Sequence, residues 1–107
     1  MTTSTALKTD HFAEAAARPA ELGLCGLTAS AAVDLLKRRE ISPLDLVDAA
    51  IARIERVDPV VNALPIRNFD AARSAARDFR RPTADEASSP GWLAGLPIAV
   101  KDYNDLA

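Results

Sequence analysis

Gly95-Leu96-Pro97-Ile98-Ala99-Val100-Lys101-Asp102 is the stretch on which the reading of this chain turns. Leu96 to Val100 is a continuous apolar run of strand length. Continuous apolarity, unlike alternation, implies a strand buried on both faces, and such strands belong to sheets covered by helices. The predicted class is therefore α/β. A lysine and an aspartate follow the run directly. In α/β sheets, functional side chains emerge at strand ends into a crevice. A lysine drawn out of water there has its ammonium form disfavoured, and one brought toward neutrality acts as a general base. The bland alternative is a solvated strand end paired with its neighbouring acid. From these residues alone it is the more common arrangement.

Working back toward the N-terminus, the pattern is helical. Thr28 is a cap for a helix from about Ala29 to Arg39, with Ala29, Ala32, Val33, Leu35 and Leu36 as its apolar stripe. Lys37-Arg38-Arg39-Glu40 is its solvated C-terminal end, where cations suit the negative pole of the helix. The next helix has a clear start: Ser42 at the cap, Pro43 at the first helical position, Asp45 as the acid of a capping box. Leu46, Val47, Ala50, Ile51, Ile54 and Val57 form its apolar face, and Asp58-Pro59 marks its expected end. The short loop between these helices predicts a hairpin. Val60 to Ile66 reads as a short extended run near an edge, because of Pro65. A third helix is expected from Asn68 or Asp70 to about Arg80, with Ala71, Ala72, Ala75, Ala76 and Phe79 inside. Arg81 to Gly91 reads as a loop. Residues 1–26 are expected to be an arm that packs on something else or stays mobile, with a helical turn or two at Asp10 to Ala17.

Composition narrows the function classes. The 107 residues carry 13 basic and 15 acidic side chains, a net charge of −2. That balance gives no electrostatic case for nucleic acid or an anionic membrane. Apolar residues make up 49% and aromatics 5%, which favours helices with small packed faces over a β-sandwich. Cys25 is the only cysteine and His11 the only histidine. No internal disulfide and no cysteine cluster for zinc can form, and Cys25 is expected to be a small buried or half-exposed spectator. A lone thiol and the lack of a signal-peptide pattern or a membrane span fit a cytoplasmic location.

The ordered pieces from Leu27 to Ala107 resemble the N-terminal part of the amidase-signature amidohydrolases. They are Ser42-Pro43-Leu44-Asp45-Leu46-Val47, then Arg56-Val57-Asp58-Pro59-Val60-Val61-Asn62-Ala63-Leu64, an alanine-rich helix, and Leu93 to Asp102. Gly95, Leu96, Pro97, Lys101 and Asp102 match the family's lysine strand position by position. The resemblance implies the first helices and strands of a mixed sheet covered by helices, incomplete in this chain, with residues 27–107 as its N-terminal portion. It implies a Ser–cis-Ser–Lys triad with Lys101 as the base and Asp102 as its supporting neighbour. The base acts through a bridging serine on a nucleophilic serine, an acyl-enzyme forms, ammonia or an amine leaves, and water releases the acid. No cofactor and no metal are implied. The partners implied are a small amide substrate and the remainder of the amidase domain, with a homodimer left open. The family's glycine- and serine-rich segment, which carries both serines, has no counterpart here; Ser88-Ser89-Pro90-Gly91 reads as a turn. The 107 residues are thus expected to be a fragment without activity alone. Two other readings stand beside this one: part of the A subunit of a tRNA-dependent amidotransferase, and a non-catalytic helical interaction module using the Leu46 to Val57 stripe.

Overall fold

A computed structural model describes residues 21–80 and 82–101. A 3-10 turn, Gly23–Gly26, leads into four α-helices: α1 (Ala29–Lys37), α2 (Pro43–Val61), α3 (Phe69–Arg77) and α4 (Ala84–Ser88). No strand is present among the described residues.

The helix starts follow their capping residues. Thr28 Oγ1 accepts the Ala31 N–H at 3.1 Å. The Asp45 N–H donates to Ser42 Oγ at 3.1 Å, and the Ser42 N–H donates to Asp45 Oδ2 at 2.9 Å, closing the capping box at α2. A cap of this kind is worth about 1 kcal/mol. At the other end of α1, Glu40 N–H reaches the Leu35 carbonyl and Arg39 N–H the Leu36 carbonyl, with Arg39 left-handed at φ 60°. This is a Schellman closure with arginine where glycine normally sits. Arg38 bridges Asp34 and Glu40, each at 3.2 Å and exposed, so the cluster is the solvated helix end expected. Replacing Arg39 by glycine removes the Cβ penalty at positive φ. Arg39→Gly is expected to raise stability by about 0.5–1 kcal/mol in urea unfolding, with an unchanged m-value.

The core gathers Ala32 and Leu36 of α1, Leu46 of α2, and Ala94, with Leu24, Leu27, Val33, Ile41, Trp92 and Leu96 packed against it. The expected α1–α2 hairpin is not the main pairing. α1 meets the first turns of α2, and the long body of α2 packs along α3 instead. The apolar face of α2 is nonetheless the expected one, with Leu46, Val47 and Ile51 buried.

Four details depart from the sequence reading. α2 runs through Pro59 to Val61, so Asp58-Pro59 does not end it. Only two residues follow Pro59 in the helix, and the last turn is held by Asp58. The Asp58 carbonyl accepts the Asn62 N–H at 2.7 Å, and its carboxylate accepts Ala63 N–H at 2.7 Å and Leu64 N–H at 3.3 Å. The expected extended run at Val60 therefore loses its first two residues to the helix. In α3, the half-buried positions are Phe69, Ala72, Arg73 and Ala76, at helical spacing; Ala71, Ala75 and Phe79 are exposed. Arg73 joins the inner stripe through its Nε, which donates to Asp48 Oδ1 of α2 at 3.0 Å. Finally, the expected loop contains α4. Thr83 and Glu86 close a second capping box, and Arg80 holds Glu86 through both guanidinium nitrogens at 2.9 and 2.7 Å.

The strand expected at Leu96 to Val100 is also not formed. A ladder needs a neighbouring strand to take its N–H and C=O groups, and the described residues offer only helices. Ile98 is 72% exposed and Val100 46%, so the two-sided burial that the apolar run implies is not realised among the described residues. Asp10 to Ala17 lies outside the described residues.

Candidate active site

Lys101 is the last described residue, exposed at the end of the segment that leaves the core at Leu96. Asp102, its expected supporting acid, and His11 lie outside the described residues. What is well built is the turn that launches the lysine segment. The Leu96 N–H donates to the Leu93 carbonyl at 3.0 Å, and Ala94 (φ 61°) and Gly95 (φ 91°) between them are both at positive φ. Two successive positive φ values define a type I′ turn. Ala94 is 4% exposed, inserted among Ala32, Leu36 and Leu46. Gly95 lies against the start of α2. A Cβ on it would sit 2.7 Å from Pro43 Cγ and 3.0 Å from Pro43 Cβ. Trp92 anchors the approach to the turn, its ring 6.1 Å from that of Phe79.

Beside this turn lies an open cleft of about 650 Å³ between the start of α2 and α4, bordered by Ser42, Pro43, Phe79, Thr83 and Trp92. Lys101 is not among its lining residues. Of the serines nearest the lysine in sequence, Ser88 Oγ donates to the Asp85 carbonyl at 2.9 Å, and the backbone carbonyl of Ser89 accepts the Trp92 N–H at 3.2 Å. The expected turn at Ser88 to Gly91 is thereby present from Ser89 onward. Cys25, expected to be buried or half-exposed, is exposed, and its thiol donates to the Ala49 carbonyl at 3.4 Å.

Two carboxylates are perturbed, both away from the lysine. Asp58, 7% exposed, is held below the ordinary carboxylate range, first by the Arg67 guanidinium at 2.8 Å and then by the Ala63 N–H. Glu86 is lowered to about 2, first by Arg80 and then by the Thr83 N–H. Both are helix-end devices. Among the described residues no group of three or more His, Cys, Asp or Glu side chains is placed to hold a metal ion. No helix among them is long and apolar enough to cross a membrane.

The family model described as Amidase matches residues 45–107, more than half of the chain. The chain belongs to the amidase family. Relatives of this amidase chain include the protein named amidase AmiC in Mycobacterium tuberculosis (strain ATCC 25618 / H37Rv), 40% identical over 81 residues, covering 76% of this chain and 16% of the relative. The glutamyl-tRNA(Gln) amidotransferase A subunit of Roseiflexus castenholzii is 42% identical over 78 residues, covering 71% of this chain and 15% of the relative. That of Gluconobacter oxydans is 39% identical over 83 residues, with 75% and 16% covered. The amidase chain thus spans about 16% of the length of the curated relatives it matches. No solved structure matches it.

The sequence missed Pro43 as a neighbour of the lysine segment. Its signal was the Gly95 of the turn, since a glycine before a buried run often marks a close backbone approach.

Proposed function

We propose that this chain is the lysine-bearing N-terminal part of an amidase domain that hydrolyses a carboxylic amide to an acid and ammonia or an amine. The observation that carries the reading is the family match, which runs through the Gly95 to Lys101 segment. Lys101 is the base. In its neutral form it takes a proton, through a bridging serine held by a cis peptide, from a nucleophilic serine. That serine attacks the amide carbonyl. The C–N bond breaks as the proton is returned to the leaving nitrogen, and water then cleaves the acyl-enzyme. Asp102 supports the lysine. Both serines are supplied by segments outside these 107 residues.

The finer fold belongs to the same proposal. Leu96 to Val100 becomes a strand of a mixed sheet when neighbouring strands are present. The exposure of Ile98 and Val100 supports this, since apolar side chains of that size are left open where a covering layer is due.

A simple aliphatic amide tests the proposal. The complete amidase domain carrying this chain is expected to release ammonia from it, and the 107-residue chain alone to release none. Turnover by the pure 107-residue chain that disappears with Lys101→Ala contradicts the proposal.

The glutamyl-tRNA(Gln) amidotransferase A subunits among the relatives favour a second reading, in which the chain is part of the A subunit of a tRNA-dependent amidotransferase and works within an assembly. Amide turnover by the complete domain without any partner speaks for the first reading, and a strict need for partner proteins speaks for the second. The helical-module reading loses its support, because the Leu46, Val47 and Ile51 stripe is spent on packing.

A further inference from the structure

We propose that Gly95 and Pro43 are positioning residues for Lys101, with the first turn of α2 acting as the fixed stop against which the lysine segment is set. The inference rests on Lys101 being the base.

Three observations carry it. Gly95 has φ 91°, and a Cβ there would meet Pro43 at 2.7 and 3.0 Å and Phe79 Cδ1 at 3.5 Å. Backbone therefore sits directly on the proline ring, with no room for even one methyl group. Pro43 occupies the first position of a helix whose capping box is closed on both sides, which fixes where its ring sits. Ala94, next to Gly95, is buried among Ala32, Leu36 and Leu46, so the turn cannot slide along the helix without leaving the core. Beyond Leu96 and the half-buried Pro97, the side chains of Ile98, Ala99, Val100 and Lys101 are exposed. The turn ties the start of the lysine segment to the helical layer. From Gly95 the chain reaches Lys101 within at most about 20 Å of fully extended backbone. A shift at the turn moves the register of the whole segment. For a base, a displacement of about 1 Å costs on the order of 100-fold in rate.

Steady-state kinetics on a simple aliphatic amide, with this chain in its complete amidase domain, test the inference. Gly95→Ala, confirmed folded by its melting curve, is expected to lower kcat by roughly 10- to 100-fold with KM within about two-fold of wild type. Adding Pro43→Ala removes the Cγ that lies 2.7 Å from the new methyl and is expected to restore at least part of the lost kcat. A merely structural role predicts no such split and no such relief. A folded Gly95→Ala enzyme with wild-type kcat overturns the proposal, as does a kcat loss that Pro43→Ala leaves untouched. Should Gly95→Ala fail to fold, Pro43→Ala alone is read. A reduction in kcat of about three-fold or more at constant KM is expected, and an unchanged kcat overturns the proposal. Lys101→Ala run in parallel separates the two claims. If it keeps full turnover, the assignment of the base has failed. If it is inactive while Gly95→Ala is unimpaired, only the positioning role has failed.

Discussion

Lys101→Ala in the complete amidase domain is expected to lower kcat for amide hydrolysis by about 10³- to 10⁴-fold, with KM changed by less than about three-fold, if Lys101 is the base as proposed. A serine hydroxyl is a weak nucleophile until a base takes its proton, and the base also supplies the proton that lets the amine leave. Removing it therefore damages the transition state much more than substrate binding. Lys101→Arg is expected to fall equally far, because a guanidinium stays protonated and cannot accept the serine's proton. This second substitution keeps charge and length. It separates a base from a lysine that merely supplies positive charge or ends a strand, for which arginine would be a fair replacement. Amide turnover measured for both variants beside wild type checks the prediction. Activity within about ten-fold of wild type in Lys101→Arg speaks against Lys101 as the base.

The second large effect is on stability. Asp58 is the one buried charged side chain of the described core, and it gathers the Ala63 and Leu64 N–H groups and the Arg67 guanidinium. Asp58→Ala leaves those donors without their acceptor and frees the turn that carries α2 into α3. The melting midpoint is expected to fall by about 10 °C or more. Asp58→Asn costs less, since an amide oxygen can still serve Ala63, but its N–H₂ group faces the Arg67 donors. The pH dependence carries a distinct signature. Asp58 is lowered from its ordinary value of 3.8, so its stabilisation is fully present above that value and is lost as pH falls through the lower native one. Glu86, lowered from 4.5 to about 2, adds a contribution lost over that interval. The gap between wild type and Asp58→Ala should therefore narrow below pH 3.8 and stay constant above about pH 5. A gap that widens in acid contradicts the ion-pair account.

Local chemistry was the legible part of this chain. The Thr28 and Ser42 caps, Pro43 at the first helical position and the Leu46–Val47–Ile51 face all depend on residues within a turn or two of each other. Thr83-Ala84-Asp85-Glu86 carries the same capping-box spacing as Ser42 to Asp45, yet the prolines and serines around it suggest a loop. What escaped depends on contacts distant in sequence. Nothing local says that Asp58 will hold a helix end across Pro59, because its partner Arg67 sits beyond the turn. The alanines of α3 carry too little contrast to choose one face, so the choice fell to Arg73 and its partner Asp48 on α2. The candidate site was legible only in part. The apolar run and Lys101 are plain in the sequence, whereas the strand itself requires neighbours that the described residues do not supply. The pinning of Gly95 on Pro43 joins residues far apart in the chain, and only the three-dimensional structure brings them together.

The most direct test of Lys101 as the base is the pH profile of kcat/KM for a simple amide, compared between wild type and Lys101→Ala in the complete domain. The profile of the free enzyme reports the ionisation of its essential base. Wild type should show a rising limb as that base loses its proton, and Lys101→Ala should lose the limb together with most of the rate. A limb that persists at the same pH in Lys101→Ala, with only the overall rate scaled down, would place the base elsewhere.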